Sequence, residues 1–317
     1  MPTILITTDY LVPGDEVDHY LTGLGFTTRH DPMRGPRDPS QLIAALKDVE
    51  GALIANEPMT EHVLRNAPTL KAIVRTGVGY DSVDVDAATE LGISVSNLPG
   101  INANAVAEFT IAIVLAAMRR LVPMAAGVAG GGWPRQDGFE LRGKTVGLIG
   151  RGAVAQRVAV LAGAFGTNVL STKDVALDEV LRESDVVSVH TALTDRTRNL
   201  IDAAAIAKMK PGAYLVNTAR GPIVDEAALA DAVRRGHLAG AALDVVSKEP
   251  LPADSVLRGV DGITVYSHMA GQTAEARRDA GIEGAKELVA ALAGHPAHQI
   301  GHAALAGNPA HRIGESA

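Results

Sequence analysis

Three residues near the ends of predicted strands carry groups that together suit the reduction of a keto acid. Arg220, Glu249 and His268 each follow a short apolar run, far apart along the chain. A guanidinium can hold a carboxylate through two parallel hydrogen bonds, and a histidine can give or take a proton near neutral pH. A carboxylate beside that histidine orients the ring and favours its charged form. Taken singly, the three have structural alternatives: a surface cation, a solvated loop acid and a histidine satisfied at a strand end.

A second feature is a strand, a tight glycine turn and a helix in immediate succession. Residues 144–149 form an apolar run, Gly150 and Gly152 follow, and residues 153–165 are apolar at helical spacing. Gly150 can make the sharp turn, and Gly152 lets a pyrophosphate approach the backbone at the helix N-terminus. Ala155 stands at the third glycine of the dinucleotide fingerprint, where alanine is also used. We predict a turn that binds a nicotinamide dinucleotide, the source of the hydride; an ordinary strand-to-helix turn is the alternative.

The elements that must position these residues alternate between strands and helices. This alternation extends over residues 3–97 and again over residues 144–293. It predicts an α/β fold with mostly parallel sheets covered by helices on both faces, and 317 residues suffice for about two such domains. Because ligands bind at the carboxyl ends of parallel strands, the glycine turn and the three polar residues can meet in one crevice.

The segment between the two α/β regions contains a long apolar helix and a glycine-rich stretch. Residues 102–120 are predicted to form a helix that is apolar nearly all round from residue 109 to residue 118, so we expect it to be buried between domains or in an oligomer interface. We predict that residues 122–137 form a loop in which Trp133 packs on another subunit or on its own domain.

Composition argues against several classes of protein. The net charge of −7 and the 3% aromatic content disfavour nucleic acid or an anionic membrane as a partner. There is no cysteine, so disulfides and thiolate chemistry are excluded, and a reducing compartment is compatible. We expect no signal peptide and no membrane span, because the longest near-apolar stretch, residues 109–118, is too short to cross a bilayer. These features predict a cytoplasmic protein.

The C-terminal residues contain a short repeat rich in histidine. LAGHPAHQIG at residues 292–301 is followed by LAGNPAHRIG at residues 305–314. The alternatives are a polar, partly disordered tail and a metal site; we favour the tail, and predict no metal, because no acidic ligand joins the histidines. The histidines of this segment are His295, His298, His302 and His311.

Several ordered motifs make the chain resemble the D-isomer-specific 2-hydroxyacid dehydrogenases, which include D-3-phosphoglycerate dehydrogenase and glyoxylate/hydroxypyruvate reductases. The resemblance is strongest from residue 70 to residue 293. The stretches that carry it are residues 75–81, 102–108, 143–159, 217–221, 242–245, 249–251 and 267–271.

This resemblance implies a Rossmann-type nucleotide-binding domain over residues 100–286 and a discontinuous, flavodoxin-like substrate domain over residues 1–99 completed by residues 287–317. It implies that Arg220, Glu249 and His268 are catalytic, and that the family's usual homodimer forms through residues 102–138. Asp244 would contact the nicotinamide carboxamide. The implied substrate-binding residues are Val78, Gly79, Asn102, Arg220 and His268. The implied residues for NAD or NADP are Gly150, Arg151, Gly152, Ala153, Val154, Thr172, Lys173, His190, Thr191, Thr197, Thr218, Ala219, Asp244, His268 and Gly271.

The chain departs from the family pattern near the cofactor's ribose. Lys173 stands where an acidic residue would bind the 2′-hydroxyl, and a cation there suits a 2′-phosphate, so we predict tolerance of NADP or a preference for it. Asp174 could take the acidic role if the strand is shifted by one residue. The chain is also short between Lys173 and Leu177, where relatives have about one more strand and turn. Ala103 and Ala105 replace the usual hydroxyl residues, and Ala192 a usual proline.

The sequence therefore predicts an oxidoreductase that interconverts a 2-keto acid and a D-2-hydroxy acid with NAD(P)(H). One alternative is a nucleotide-sensing, corepressor-like binding protein of the same fold. Another is a dehydrogenase of a different small anion, such as formate, phosphite or a specialised biosynthetic acid.

Overall fold

The computed structural model describes residues 1–32 and 37–301 and divides them between two compact units. Of the described residues, the first unit contains 1–32, 37–102 and 274–301, and the second contains Ala103–Thr273. The strands are β1 (Thr3–Ile6), β2 (Thr27–His30), β3 (Gly51–Ile54), β4 (Ala72–Arg75), β5 (Ser94–Ser96), β6 (Thr145–Ile149), β7 (Asn168–Ser171), β8 (Val186–Val189), β9 (Ala213–Asn217), β10 (Leu238–Leu243), β11 (Ile263–Val265) and β12 (Gln299–Ile300). The helices are α1 (Glu16–Gly23), α2 (Pro39–Ala45), α3 (Glu61–Arg65), α4 (Val85–Glu90), α5 (Ala103–Met118), α6 (Leu121–Ala129), α7 (Ala153–Ala164), α8 (Leu177–Glu183), α9 (Ala203–Lys208), α10 (Glu226–Arg234) and α11 (Ala274–Leu292).

The first unit is a six-stranded sheet in the order β12-β5-β4-β3-β1-β2. The five N-terminal strands are parallel, and β12 pairs antiparallel with β5. Side chains of β1 alternate between the faces: Leu5 packs into the core beneath α2 to α4, whereas Ile4 and Ile6 pack into the core beneath α1 and α11. Read from β2, the order of the parallel strands is 2-1-3-4-5, which is the flavodoxin-like order.

The second unit is a parallel six-stranded sheet in the order β11-β10-β9-β8-β6-β7. The Rossmann order has one further strand beyond the position of β7. That strand is absent from the described residues because only the short 172–176 segment connects β7 to α8. The predicted shortening after Lys173 therefore leaves β7 at the edge of the sheet.

Helix α5 contributes to the core of the second unit, and its predicted position between domains or in an oligomer interface stays a prediction. Its buried residues include Ile111, Val114 and Met118, and they pack with sheet residues such as Val146 and Leu148. More than half of the residues of this helix are thus buried within one unit. No single helix among residues 1–32 and 37–301 meets the length and hydropathy of a membrane span; α5 and α6 meet them only together and are bent by 67°.

Residues 122–137 were predicted as a loop, and this prediction is wrong for the first half. Helix α6 occupies Leu121–Ala129, and none of its residues is buried. The prediction was wrong because the glycines after residue 129 indicated a loop. The apolar residues before them form a helix instead, although its side chains are not buried in its own unit. Trp133 is 79% exposed, so it does not pack on its own domain as one alternative required.

The chain returns to the first unit at the start of α11, earlier than the predicted boundary at residue 287. Four buried residues of this helix, Ala280, Ala285, Leu288 and Ala291, join the core of the first unit. Buried Glu287 then accepts backbone N–H groups of Ala297 and His298, at 3.1 and 2.9 Å, and so anchors the segment that forms β12. This part of the predicted tail is ordered by pairing with β5, and the second copy of the repeat lies outside the described residues.

Candidate active site

The second sheet carries the three candidate catalytic residues at the carboxyl ends of adjacent strands. Strands β9, β10 and β11 are neighbours, and Arg220, Glu249 and His268 lie in the segments that follow them. Parallel strands have all their carboxyl ends at one edge of the sheet, so residues 48 positions apart in sequence reach the same place.

His268 and Glu249 form a hydrogen-bonded pair. His268 Nδ1 lies 2.8 Å from Glu249 Oε2, and the backbone N–H of Val246 donates to Oε1 at 3.2 Å. Partial burial raises the pKa of Glu249, but the hydrogen bond and charge of His268, the Val246 N–H and the charge of Arg220 outweigh it, so the pKa is lowered overall. The carboxylate is therefore ionised at neutral pH and holds the imidazole through Nδ1.

The loop that carries Arg220 is fixed by its own strand end and by close backbone contact. The Asn217 side chain donates to the carbonyl of Arg220 and accepts the N–H of Ala219, each at 2.9 Å. A Cβ atom on Gly221 would lie 1.9 Å from the carbonyl carbon of Val246, so only glycine lets these two loops touch. The contact brings the Arg220 and Glu249 segments together, and the charge of Arg220 reaches the Glu249 carboxylate.

Asp244 has clear structural contacts, and its predicted contact with the nicotinamide carboxamide stays a prediction. It is 1% exposed, and its two carboxylate oxygens accept the N–H groups of Met269 and Ala270 at 2.8 and 2.9 Å. Its carbonyl accepts the N–H of His268, which has a left-handed backbone with φ of 58°. Asp244 therefore positions the loop that presents His268.

The glycine turn after β6 has the geometry that the fingerprint requires. Gly150 has a φ of +130°, and a Cβ atom there would lie 2.3 Å from the carbonyl oxygen of His190. Its N–H donates to Thr172 Oγ1 at 2.9 Å, so the end of β7 braces the turn. Larger residues at this position would push β6 and β8 apart.

The next helix leaves its N-terminus open toward an anion. Gly152 is the N-cap of α7, no side chain caps this end, and a Cβ atom on Gly152 would meet nothing within 4 Å. The first N–H groups of a helix point at such a space and carry its partial positive charge. The residues present therefore fit the pyrophosphate of a dinucleotide.

A cavity of about 450 Å³ extends from this turn along the edge of the sheet. The sequence predicted six of the residues that line it and missed four, which belong to strand ends and to loops without a motif. The predicted lining residues are Gly150, Arg151, Gly152, Thr172, His190 and Thr191; the others are Ile149, Leu177, Ala192 and Leu200.

His190 is held neutral beside the glycine turn. Burial lowers its pKa to about 4, and its Nε2 lies 2.9 Å from the Ser188 hydroxyl. A neutral imidazole adds no charge to the cavity, so the positive potential there comes from Arg151 and the helix N-terminus.

Other predicted cofactor residues have structural contacts. Thr197 caps its own loop by accepting the Thr194 N–H and donating to the Ala192 carbonyl, each at 2.7 Å. The Thr218 hydroxyl meets Thr110 of α5 at 3.0 Å. Lys173 is exposed and does not line the cavity, and its N–H donates to Ser171 Oγ at 3.1 Å. Ala153 and Val154 begin α7, Ala219 follows β9, and Gly271 follows the His268 loop.

The predicted substrate residues Val78 and Gly79 lie in the first unit, in the loop after β4. The carbonyls of Gly77 and Val78 accept from Leu98 N–H at 2.9 Å and from Asn97 Nδ2 at 2.6 Å. Among residues 1–32 and 37–301, the N–H groups of Val78 and Gly79 have no protein acceptor. Consecutive unpaired N–H groups of this kind bind anions. Asn102 is the last residue of the first unit, directly before α5.

Residues 111–270 match the family model described as "D-isomer specific 2-hydroxyacid dehydrogenase, NAD binding domain". The chain also resembles a glyoxylate reductase of Thermofilum pendens, with 36% identity over 287 residues that cover 84% of this chain and 85% of the relative. The chain belongs to the D-isomer specific 2-hydroxyacid dehydrogenase family. Its nucleotide-binding domain is of Rossmann type, and its cofactor is NAD or NADP.

Two further members define how far the similarity extends. A D-3-phosphoglycerate dehydrogenase of Mycobacterium tuberculosis is 39% identical over 311 residues, which cover 93% of this chain and 57% of the relative. The chain thus spans just over half the length of that dehydrogenase. The solved structure of the TT0316 protein from Thermus thermophilus superposes with a TM-score of 0.86 and 33% identity, covering 94% of this chain and 100% of the other.

The tail histidines do not form a metal site among the described residues. Within residues 1–32 and 37–301, no group of three or more His, Asp or Glu residues could hold a metal ion. His295 and His298 fall in this range, and His302 and His311 lie outside it.

Proposed function

We propose that the protein interconverts a 2-keto acid and a D-2-hydroxy acid by hydride transfer with NAD(P)(H). The observation that carries this proposal is the grouping of a guanidinium, an ionised carboxylate and an imidazole at the sheet edge that also bears the dinucleotide turn. The similarity to a glyoxylate reductase and a D-3-phosphoglycerate dehydrogenase supports the same reaction class.

Each residue of the group has a distinct task in this reaction. When bound, the nicotinamide supplies or accepts the hydride. Arg220 pairs with the carboxylate of the keto acid and fixes the orientation of its carbonyl. Because Glu249 occupies Nδ1 of His268, the other ring nitrogen, Nε2, is the atom that gives its proton to the carbonyl oxygen. Glu249 maintains the charged imidazolium, and Asp244 keeps the His268 loop in place.

Binding of the substrate carboxylate by the N–H groups of Val78 and Gly79 stays a prediction. It is supported by their lack of a protein acceptor within the described residues, and by the hydrogen bonds that hold the adjoining carbonyls. The predicted contacts of Asn102 with substrate are untested.

We propose a preference for NADPH over NADH, supported by the chemistry at the end of β7. The residues there are Ser171, Thr172 and Lys173, which offer hydroxyls and a cation to a ribose phosphate and no carboxylate. Asp174 lies in the turn after β7, where its N–H donates to the Ser171 carbonyl. Strand β7 pairs with β6 up to Ser171, so Asp174 does not occupy the end of the strand. Equilibrium binding by nicotinamide fluorescence should show tighter binding of NADPH, and Lys173→Asp should reverse the order. Equal dissociation constants for the two would contradict the proposal.

We also propose that two copies associate through α6 and the segment that follows it. The support is a group of exposed apolar side chains close together in sequence: Leu121, Val122, Val128, Trp133 and Phe139 are all more than two-fifths exposed. Light scattering should give a dimer, and Val128→Asp with Trp133→Ser should give a monomer. A monomeric parent protein would contradict this assembly.

A panel of 2-keto acids assayed with both NADH and NADPH tests the proposed function. The expected result is oxidation of the cofactor and a product of D configuration. Tight dinucleotide binding without turnover on any keto acid would instead favour the nucleotide-sensing alternative. Turnover only on formate or phosphite would favour the other-anion alternative.

A further inference from the structure

Two consecutive peptide groups after β4 have their carbonyl oxygens held by buried residues of the first unit. The backbone N–H of Leu98 donates to the carbonyl of Gly77 at 2.9 Å, and the side chain of Asn97 donates through Nδ2 to the carbonyl of Val78 at 2.6 Å. Asn97 and Leu98 follow β5 and are 8% and 4% exposed. Two neighbouring residues after one strand therefore fix two neighbouring peptide planes after the next.

The same two peptide groups carry the N–H groups of Val78 and Gly79. Both are trans, so the carbonyl oxygen and the N–H of each plane point in opposite directions. Because the carbonyls point toward Asn97 and Leu98, the N–H groups point away from them, and Val78 is 41% exposed. Neither N–H has a protein acceptor within residues 1–32 and 37–301. This is the arrangement in which successive backbone donors bind an anion.

Asn97 acts on the Gly79 N–H through a single peptide group. The Val78 carbonyl that accepts from Nδ2 shares its plane with that N–H, so the side-chain hydrogen bond fixes the direction in which the backbone donates. A hydrogen bond to the carbonyl also polarises the amide and makes its N–H a stronger donor. Asn97 can therefore control anion binding by this loop without touching the anion.

The segment that forms β12 holds the backbone of Asn97. The Asn97 N–H donates to the carbonyl of His298 at 3.4 Å, which continues the antiparallel pairing of β12 with β5. The N–H groups of Ala297 and His298 in turn donate to the Glu287 carboxylate of α11 at 3.1 and 2.9 Å. Glu287 is only 5% exposed. Hydrogen bonds thus connect this buried carboxylate, through residues 297–300 and Asn97, to the Val78 carbonyl.

We propose that Asn97 is a positioning residue for substrate: it directs the Gly79 N–H, beside that of Val78, toward the carboxylate of a 2-keto acid. Glu287 acts through residues 297–300 to keep Asn97 in place. This inference rests on the proposed function, because that function makes the bound anion a 2-keto acid. It assigns part of the substrate affinity to two side chains that do not contact the substrate.

The test is steady-state reduction of glyoxylate at saturating NADPH. Asn97→Ala removes the donor to the Val78 carbonyl and should raise KM about 3- to 10-fold, the range for one hydrogen bond. Asn97→Asp places a carboxylate against that carbonyl and should raise KM about 10- to 100-fold. In both variants kcat should stay within about twofold, because the carboxylate contact is the same in the ground state and the transition state. KM does not depend on the amount of active enzyme, so partial unfolding does not imitate this result.

Ser96→Ala is the matched control. Ser96 precedes Asn97 and is fully buried, and its hydroxyl has no hydrogen-bond partner among the described residues, so the variant loses no hydrogen bond. It should leave KM unchanged. Glu287→Gln should raise KM about two- to fivefold. Combined with Asn97→Ala it should add nothing, because Glu287 acts through Asn97. Additive effects in the double variant would overturn the role of Glu287.

Backbone amide NMR with oxamate, an unreactive analogue of a 2-keto acid, separates this inference from the dehydrogenase function. The Val78 and Gly79 amide signals should shift in the parent protein, and Asn97→Ala should need a higher oxamate concentration for the same shift. Glyoxylate turnover without these shifts, or an unchanged KM in Asn97→Ala, would overturn the positioning role alone. Absence of turnover on any keto acid would instead refute the dehydrogenase function, and the oxamate titrations would still decide whether Asn97 controls anion binding.

Discussion

Replacement of Glu249 by Gln removes one negative charge from the His268 pair while an oxygen acceptor stays in place. Two unit charges about 4 Å apart interact with about 1 kcal/mol in water and about 4 kcal/mol at an effective dielectric constant of 20. The side chains of His268 and Glu249 are 40% and 39% exposed, so solvent screening places the value toward the lower limit, at about 1–1.5 kcal/mol. A free energy of this size corresponds to a roughly tenfold change in rate.

The assay is kcat/KM for keto-acid reduction at neutral pH. Loss of about 1–1.5 kcal/mol of charge stabilisation should lower kcat/KM roughly tenfold in Glu249→Gln, while the amide oxygen still accepts from Nδ1 and keeps the ring oriented. Glu226→Gln is the control: that carboxylate accepts the Ser247 N–H at 2.5 Å in the same loop region. An unchanged kcat/KM in Glu249→Gln would refute the electrostatic role of Glu249.

Three further predictions follow from the geometry of the second unit. Gly150→Ala should destabilise the protein by more than about 2 kcal/mol in thermal unfolding, because φ of +130° and the His190 carbonyl exclude a Cβ atom. Gly152→Ala is the control: a Cβ atom there meets no protein atom within 4 Å, so the variant should keep its Tm and bind the dinucleotide less tightly. Because the pKa of His190 is about 4 in the folded protein and 6.5 in the unfolded chain, only the unfolded chain binds its proton between these values. The free energy of unfolding should therefore fall by up to about 3 kcal/mol as the pH drops from 6.5 to 4, and His190→Asn should flatten this dependence in urea titrations. Asp244→Asn places an amide against the N–H groups of Met269 and Ala270, and should cost about 1–3 kcal/mol in stability and lower kcat; an unchanged kcat would remove the positioning role of Asp244.

The sequence predicted most of the parallel strands because their ends are marked by turn residues. Pro211 and Gly212, for example, separate α9, which ends at Lys208, from β9, which begins at Ala213. Convergence of Arg220, Glu249 and His268 followed from one rule, that the carboxyl ends of parallel strands share an edge. Their catalytic roles stay predictions until the variants are measured.

The wrong sequence predictions concern segments in which the structure and burial of a helix could not be judged from the apolar pattern alone. Helix α6 has an apolar sequence but no buried residue, so the usual link between apolar periodicity and a core does not apply to it. Helix α1 was not predicted, although Asp15 accepts the Asp18 N–H as an N-cap and Val17 and Leu21 are spaced for one buried face. Both signals are in the sequence, and the capping pattern alone could have located this helix.

The contacts of Asp244 and of Arg277 had no signal in the sequence. Asp244 reaches the His268 loop only because β10 and β11 are adjacent, and Arg277 reaches Tyr10 only because α11 packs against the first sheet. Such contacts join segments far apart in sequence, and no spacing rule identifies them. The same reason explains why the predicted return of the chain at residue 287 differs from the observed Ala274: the packing of α11 decides the boundary.

Single-turnover hydride transfer in His268→Asn tests the central claim most directly. Asparagine tolerates the left-handed backbone of His268, with its φ of 58°, so the loop should keep its shape while the proton donor is lost. The account predicts unchanged dinucleotide binding and a rate of keto-acid reduction about 10²- to 10⁴-fold lower than in the parent protein. Reduction at the parental rate would contradict it.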